Sequence, residues 1–152
     1  MRMRTRSTVR IILATIFTLA LGGCRGPGTD PESSLMTSRA RWARLAPAAY
    51  TFTLFISCEC LPEMSGPVRI SVRDGVVESR LYVQSGTAVS AEYAESFPAI
   101  EGLFAKIEQA VRDGTRPLEV RYDAELGYPL RIVIGDPAVD APVFTVSDFQ
   151  RR

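Results

Sequence analysis

The fold is decided by the stretch Tyr50-Thr51-Phe52-Thr53-Leu54-Phe55-Ile56-Ser57-Cys58-Glu59-Cys60. Every second side chain in it is apolar or a thiol, which is the period of a β-strand with one buried face. Its aromatic and β-branched residues favour a pleated, half-buried surface. The pattern predicts a strand across the whole stretch, ended by Pro62. The residues expected on the buried side are Tyr50, Phe52, Leu54, Ile56, Cys58 and Cys60.

A hairpin is predicted after this strand and a turn segment over residues 61–67. Apolar and polar residues alternate over residues 68–73 and again over residues 76–83. Between them stands Asp74-Gly75, which suits a type I′ turn because both central positions of that turn need positive φ. The expected cross-strand pairs are Val72 with Val77 and Val68 with Leu81.

Three further strands are predicted towards the C-terminus. Apolar residues alternate over residues 118–122 and 130–134, and Gly127 in the reversal between them can take positive φ. A short last strand is expected over residues 143–147.

Two helices complete the pattern. The first is predicted over residues 34–45, before Pro47. The second has Ser96 as its N-cap, Pro98 in its first turn and Gly114 as its stop. Its apolar stripe at helical spacing consists of Ile100, Leu103, Phe104, Ile107 and Val111.

These elements predict an α+β fold with two layers. The order is α-βββ-α-βββ, with a mostly antiparallel sheet and the helices on one face. Such a sheet keeps its other face solvated or free to bind. The predicted divisions are a signal peptide over residues 1–23, a flexible tether over residues 24–34 and a single domain over residues 35–152.

The N-terminus has the pattern of a lipoprotein signal peptide. Arginines without acidic residues precede a short apolar run, residues 11–21, which is shorter than the roughly 20 residues that span a bilayer. The sequence Leu21-Gly22-Gly23-Cys24 resembles a bacterial lipobox, which implies that Cys24 is the lipidated first residue of the mature chain. The alternative is an ordinary secretory signal with an incidental cysteine. Arg25 after the cysteine favours an outer membrane, facing the periplasm, in a Gram-negative cell.

Charge and composition exclude several classes of function. The chain has 18 basic and 17 acidic residues, and without the four arginines of residues 1–23 the balance is 14 to 17, a formal charge of −3. Nothing here resembles the basic footprint of a nucleic-acid-binding protein. The chain has no histidine, which excludes Ser-His-Asp and Cys-His mechanisms and His-ligated metals. We expect no catalytic residue, no metal and no cofactor.

Several motifs together resemble one family. The most specific are Cys58-Glu59-Cys60 after an aromatic strand and the pattern Tyr122-Asp123-x₃-Gly127-Tyr128-Pro129. With Trp42, Tyr50-Thr51-Phe52 and Leu103-Phe104, they make the chain similar to bacterial lipoproteins catalogued as domain of unknown function 6174. The resemblance covers about residues 40–135. The resemblance implies that the chain contains this domain and lies in the cell envelope, and it supplies no mechanism.

The second motif is a candidate surface site made by Tyr122, Asp123, Gly127, Tyr128 and Pro129. A carboxylate and two phenols on one hairpin could meet a ligand. The structural interpretation is that these residues form the turn: Asp123 accepts hydrogen bonds from turn amides, Gly127 takes a positive φ and Tyr128 packs in the domain core. The structural interpretation is favoured.

The pair Cys58 and Cys60 has three interpretations. It is a disulfide in an oxidising envelope, a redox-active or soft-metal pair that Met64 could assist, or two free buried thiols. In an extended strand the two Cα atoms would lie about 6.6 Å apart, at the upper limit for a disulfide. A bridge here is therefore predicted to be easily reduced.

We expect a lipid-anchored cell-envelope protein that is a non-enzymatic binding or accessory module with a protein or peptide partner. The rival hypothesis is a thiol redox or soft-metal protein that uses Cys58 and Cys60. An exposed sheet face or apolar groove favours the first hypothesis, and an accessible sulfur favours the second.

Overall fold

A computed structural model describes residues 30–116 and 118–152. The strands are β1 (Ala49–Ser57), β2 (Val68–Arg73), β3 (Val76–Tyr82), β4 (Leu118–Tyr122), β5 (Pro129–Ile134) and β6 (Val143–Arg151). The helices are α1 (Pro31–Leu45), a short α2 (Pro62–Ser65) and α3 (Ile100–Arg112). One sheet holds the six strands in the order β3-β2-β1-β6-β5-β4, and every neighbouring pair is antiparallel.

The predicted two-layer α+β architecture is confirmed. Tyr50, Phe52 and Leu54 of β1 are buried in the same core as Leu103 and Phe104 of α3. Because α1 also packs on α3 and buries Trp42 in this core, both long helices cover the same face of the sheet. None of the described helices is long and apolar enough to cross a membrane.

The central strand is shorter than predicted. β1 ends at Ser57, which is the last residue paired with β6, opposite Val143. Beyond it the amide of Glu59 donates to the Asp140 carboxylate at 2.6 Å and not to a neighbouring strand. The chain therefore bends over residues 58–60, and the prediction of a strand as far as Cys60 is wrong.

The predicted turn is confirmed, and the pairing of its strands is confirmed in part. Asp74 and Gly75 both have positive φ, and Val72 lies opposite Val77. Val68 lies opposite Tyr82 and not Leu81 as predicted. A bulge between Ser71 and Val72 shifts the register by one residue, since one strand contributes an extra residue there.

Both long helices begin elsewhere than predicted. α1 starts at Pro31, because the Asp30 carboxylate accepts the Ser33 amide at 3.1 Å and caps it. The sequence placed residues 31–34 in the tether, but they are helical. Residues 1–29, which include the predicted signal peptide and Cys24, lie outside the described part of the chain. Ser96 is not the N-cap of α3 but ends a 3₁₀ turn, Ala91–Ser96.

The start of α3 is set by a buried residue rather than by a cap. Phe97 is fully buried, and its carbonyl accepts a hydrogen bond from Arg80 at 2.7 Å. The chain is therefore held at this point, and α3 begins beyond Pro98 with Ala99 as an N-cap that makes no side-chain bond.

β6 extends four residues further than predicted, to Arg151. After a bulge it resumes its pairing with β1, so that Tyr50 lies opposite Arg151. The extension places Phe149 against the core, where its ring stacks on Tyr128 at 4.5 Å and on Tyr50 at 5.4 Å. The last strand is thus a full partner of the central strand.

Candidate functional site

The sheet face that points away from α1 and α3 is the first candidate. We call it the open face. Phe55 of β1 is 42% exposed there, in the centre of the sheet. The residues that define the open face are Thr53, Phe55, Arg69, Arg121, Arg131 and Thr145.

The strand register aligns four of these residues in one row across four strands. Arg121 of β4 lies opposite Arg131 of β5, and Arg131 lies opposite Thr145 of β6. Thr145 in turn lies opposite Phe55 of β1. Directly opposed residues point to the same side of a sheet. The row across β4, β5, β6 and β1 therefore presents two guanidinium groups, a hydroxyl and an exposed phenyl ring, in that order. We call this set the arginine row.

The charges of the open face are unpaired. Within residues 30–116 and 118–152, the side chains of Arg69, Arg121 and Arg131 make no hydrogen bond or ion pair. By contrast, Arg73 at the far end of β2 is paired with Glu78 at 2.7 Å. Glu119, two residues before Arg121 on β4, lies on the same side of the sheet and makes no ion pair with Arg121 or Arg131 within the described residues.

Fold stability does not account for the arginine row. Like charges directly opposite each other on two strands destabilise the pairing. Arg121 and Arg131 occupy such positions. An arginine pair that does not help the sheet points to a partner with negative charge.

An enclosed hydroxyl lies on the same face. The Oγ1 atom of Thr53 is buried and has no hydrogen-bond partner in the described part of the chain. Thr53 stands opposite Arg69 on one neighbouring strand and Ser147 on the other. A buried polar atom without a partner costs about 1–3 kcal/mol, and because this atom is enclosed, it offers no contact to a partner on the open face.

The second candidate is a cleft beside the two cysteines. The sulfur atoms of Cys58 and Cys60 are in bonding contact, and their Cα atoms lie 5.2 Å apart. This separation is well inside the usual range for disulfides. The separation is shorter than the distance expected for an extended strand, because both cysteines follow the end of β1.

The cleft next to this disulfide has a volume of about 180 Å³. Its wall includes both cysteines, Met64 and Lys106, and the ammonium of Lys106 lies 5.6 Å from the centre of the Phe144 ring. Both cysteines are half-buried. The cleft is therefore lined by both the disulfide and a cation. No cluster of three or more metal-binding side chains occurs in the described residues.

The third candidate, the hairpin between β4 and β5, has internal contacts. The Asp123 carboxylate accepts the amides of Glu125 at 3.1 Å and Leu126 at 2.6 Å. Gly127 has φ +85°, and a Cβ atom there would lie 2.5 Å from the carbonyl oxygen of Ser38 in α1. Pro129 is the first residue of β5 and is buried.

The two tyrosines of the hairpin face the core. Tyr122 stacks on Phe104 at 6.2 Å, and its hydroxyl is enclosed without a partner among the described atoms. Burial raises the pKa of Tyr122. Burial, and then the charges of Asp123 and Glu125, raise the pKa of Tyr128. Both phenols are therefore neutral at physiological pH, which does not suit them as general bases.

One residue that the sequence did not single out connects the layers. Glu101 on α3 accepts hydrogen bonds from the indole of Trp42 at 2.9 Å and from the hydroxyl of Tyr50 at 3.2 Å. Burial and the Glu101 charge raise the pKa of Tyr50. The sequence could not indicate that Glu101 accepts these two hydrogen bonds, because its partners are 51 and 59 residues away in the chain.

Comparison with known proteins places the chain in a family. The profile described as "Family of unknown function (DUF6174)" matches residues 34–151. The chain belongs to this family. The match confirms the resemblance that the motifs indicated and extends it through β6. No curated protein and no solved structure matches the chain. The DUF6174 match therefore spans the open face, the cysteine cleft and the hairpin.

Proposed function

We propose that this DUF6174 member is a lipid-anchored cell-envelope protein that binds a partner through its open face. The arginine row carries the binding part of the proposal. It combines two unpaired guanidinium groups with an exposed phenyl ring on a sheet face that the helices leave uncovered. Arginine and aromatic side chains are enriched among the residues that dominate binding energy at interfaces.

The lipid anchor is supported by the sequence Leu21-Gly22-Gly23-Cys24 behind a basic start and a short apolar run. Six residues separate Cys24 from Pro31, the first residue of α1. Fully extended, six residues reach about 20 Å, so a lipidated Cys24 would keep the domain near the bilayer. The chain enters the domain through α1 on the covered side, which leaves the open face accessible.

Site-specific cross-linking tests the binding surface. We expect a photoreactive phenylalanine analogue at Phe55 to form a discrete adduct in cells that express the full chain, because this side chain is exposed within the open face. The matched control is the same analogue at Met36, which is 68% exposed on α1. Adduct masses measured for both positions decide the outcome. Identical adducts from both positions, or none from Phe55, would contradict binding through the open face.

The cysteine cleft favours a second candidate function, thiol–disulfide exchange. The half-buried disulfide and Lys106 share one cleft. A dithiol substrate would reduce the bond: one substrate thiolate attacks a sulfur atom and releases the other as a thiolate, and the second substrate thiolate then resolves the mixed disulfide. The substrate becomes a disulfide, and Cys58 and Cys60 become thiols after taking up two protons. Lys106 would stabilise the thiolate that leaves.

Thiol labelling of the folded, mature protein tests this candidate. The chain has three cysteines, and with Cys24 acylated only Cys58 and Cys60 can be labelled. We expect no label without reductant and two labels after mild reductant, with slower reduction in Lys106→Met. The number of labels is read from the intact mass. Two labels without reductant would contradict the disulfide, and labels that require unfolding would exclude exchange in the native protein.

A further inference from the structure

We infer that the open face binds a protein segment that carries an acidic side chain and, two to four residues away, an apolar side chain. This inference rests on the proposed function and adds the chemistry of the partner. Its basis is the arginine row, in which Arg121, Arg131, Thr145 and Phe55 occupy directly opposed positions on four adjacent strands.

The acidic side chain follows from the unpaired arginines. A carboxylate between Arg121 and Arg131 reduces the repulsion between two opposed guanidinium groups, and it can accept two parallel hydrogen bonds from one of them and a further hydrogen bond from the other. Glu119 lies on that side of the sheet two residues before Arg121, and it makes no ion pair with either arginine within the described residues. No described side chain pairs with either guanidinium group, so both are available to a carboxylate from a partner.

The apolar side chain follows from Phe55 and from the spacing of the row. Neighbouring strands lie about 4.8 Å apart, so Arg131 and Phe55, two strands apart, are separated by roughly 10 Å. An extended peptide that crosses the strands rises about 3.3 Å per residue. A residue about three positions from the acidic one therefore reaches the phenyl ring, which is 42% exposed.

A hydroxyl lies where such a segment would need a polar contact. Thr145 stands between Arg131 and Phe55 in the row. Backbone carbonyls of a crossing segment, or its carboxylate, offer the acceptors that this hydroxyl can use.

The geometry favours a protein segment over an anionic membrane surface. The chain reaches the domain through α1, which lies on the covered side of the sheet. If Cys24 is lipidated, at most about 20 Å of chain connects it to α1, so the covered side lies towards the bilayer more readily than the open face. A partner in solution therefore has access to the arginine row.

Selection from a random decapeptide library, displayed on beads, tests this inference with the mature lipidated protein in a neutral detergent. We expect enriched peptides to share an Asp or Glu and an apolar residue two to four positions away. An enriched peptide is then synthesised, and its affinity is measured by fluorescence anisotropy. Changing its acidic residue to the corresponding amide should weaken binding at least about tenfold, the size expected when a paired charge is removed.

The protein variants locate the binding site. Arg121→Gln with Arg131→Gln should weaken binding of the peptide at least about tenfold. The same double variant should unfold at the same temperature as the parent or a higher one, because the repulsion between opposed charges is gone. The matched control is Arg44→Gln with Arg152→Gln, which removes the same two charges from exposed positions elsewhere and should keep the affinity.

The outcomes separate this inference from the proposed function. Enriched peptides without acidic residues, whose binding is nevertheless lost in Phe55→Ala, would overturn the inference and leave the open face as the binding surface. Peptides that bind all of these variants equally, or no enrichment, would overturn both. Arginine-dependent binding to vesicles containing phosphatidylglycerol, with no acidic peptide selected, would show a membrane contact and would also overturn the inference.

Discussion

Replacing Gly127 by alanine is expected to destabilise the domain by about 2–5 kcal/mol. Gly127 has φ +85°, a conformation that costs other residues about 1–2 kcal/mol. The new Cβ atom would also lie 2.5 Å from the Ser38 carbonyl oxygen and 3.1 Å from the Arg41 Cβ atom, both in α1. Moving backbone in a packed interface costs about 1–3 kcal/mol more. Denaturant unfolding, with the slope checked for two-state behaviour, measures the loss.

The matched control for this variant is Gly86→Ala. Gly86 has φ +70°, but a Cβ atom there would meet nothing within 4 Å. We expect the control to lose only the conformational part, about 1–2 kcal/mol. The difference between the two variants therefore measures the contact between the hairpin and α1. Equal losses would show that α1 does not pack on Gly127 as described.

Replacing Cys24 by serine is expected to abolish membrane attachment. A serine has no thiol to acylate, and stable anchoring requires more than one acyl chain, so the variant has no lipid to hold it. Detergent-phase partitioning of cell extracts should move the protein from the detergent phase to the aqueous phase. Intact mass of the parent should show the acyl groups.

The control for Cys24→Ser is the double variant Cys58→Ser with Cys60→Ser. It removes the other two cysteines of the chain and keeps the one proposed to carry the lipid. We expect it to stay in the detergent phase. A parent protein of unmodified mass, or a Cys24→Ser variant that remains in the detergent phase, would contradict the lipid anchor.

Local patterns in the sequence predicted the elements and the class of fold. The alternation over Tyr50–Ser57, the Asp74-Gly75 turn and the apolar stripe of α3 each depend on residues that are near one another in the chain. The period of the apolar residues decides whether such a segment can bury a strand face or a helix stripe. The α+β order was therefore predicted correctly, and the family match agrees with the motifs.

The errors occurred where a distant partner decided the geometry. Ser96 looked like a cap, but the hydrogen bond from Arg80 to the Phe97 carbonyl and the burial of Phe97 move the start of α3. The end of β1 depends on Asp140, 81 residues away from Glu59. A bulge between Ser71 and Val72 changed the register of β2 and β3 without any signal in either strand.

The sequence by itself determined the six strands and two long helices, their order and the pattern that predicts a lipid anchor at Cys24, because each of these depends on neighbouring residues, whereas the short α2 was predicted only as a turn. Only the tertiary structure decided which side chains meet. It placed Arg121 and Arg131 opposite each other, in one row with Phe55 from the other half of the chain. It also placed Gly127 against Ser38 of α1. The physical reason is that strand order and register are set by burying the helix-facing side of the whole sheet at once, and no local stretch contains that information.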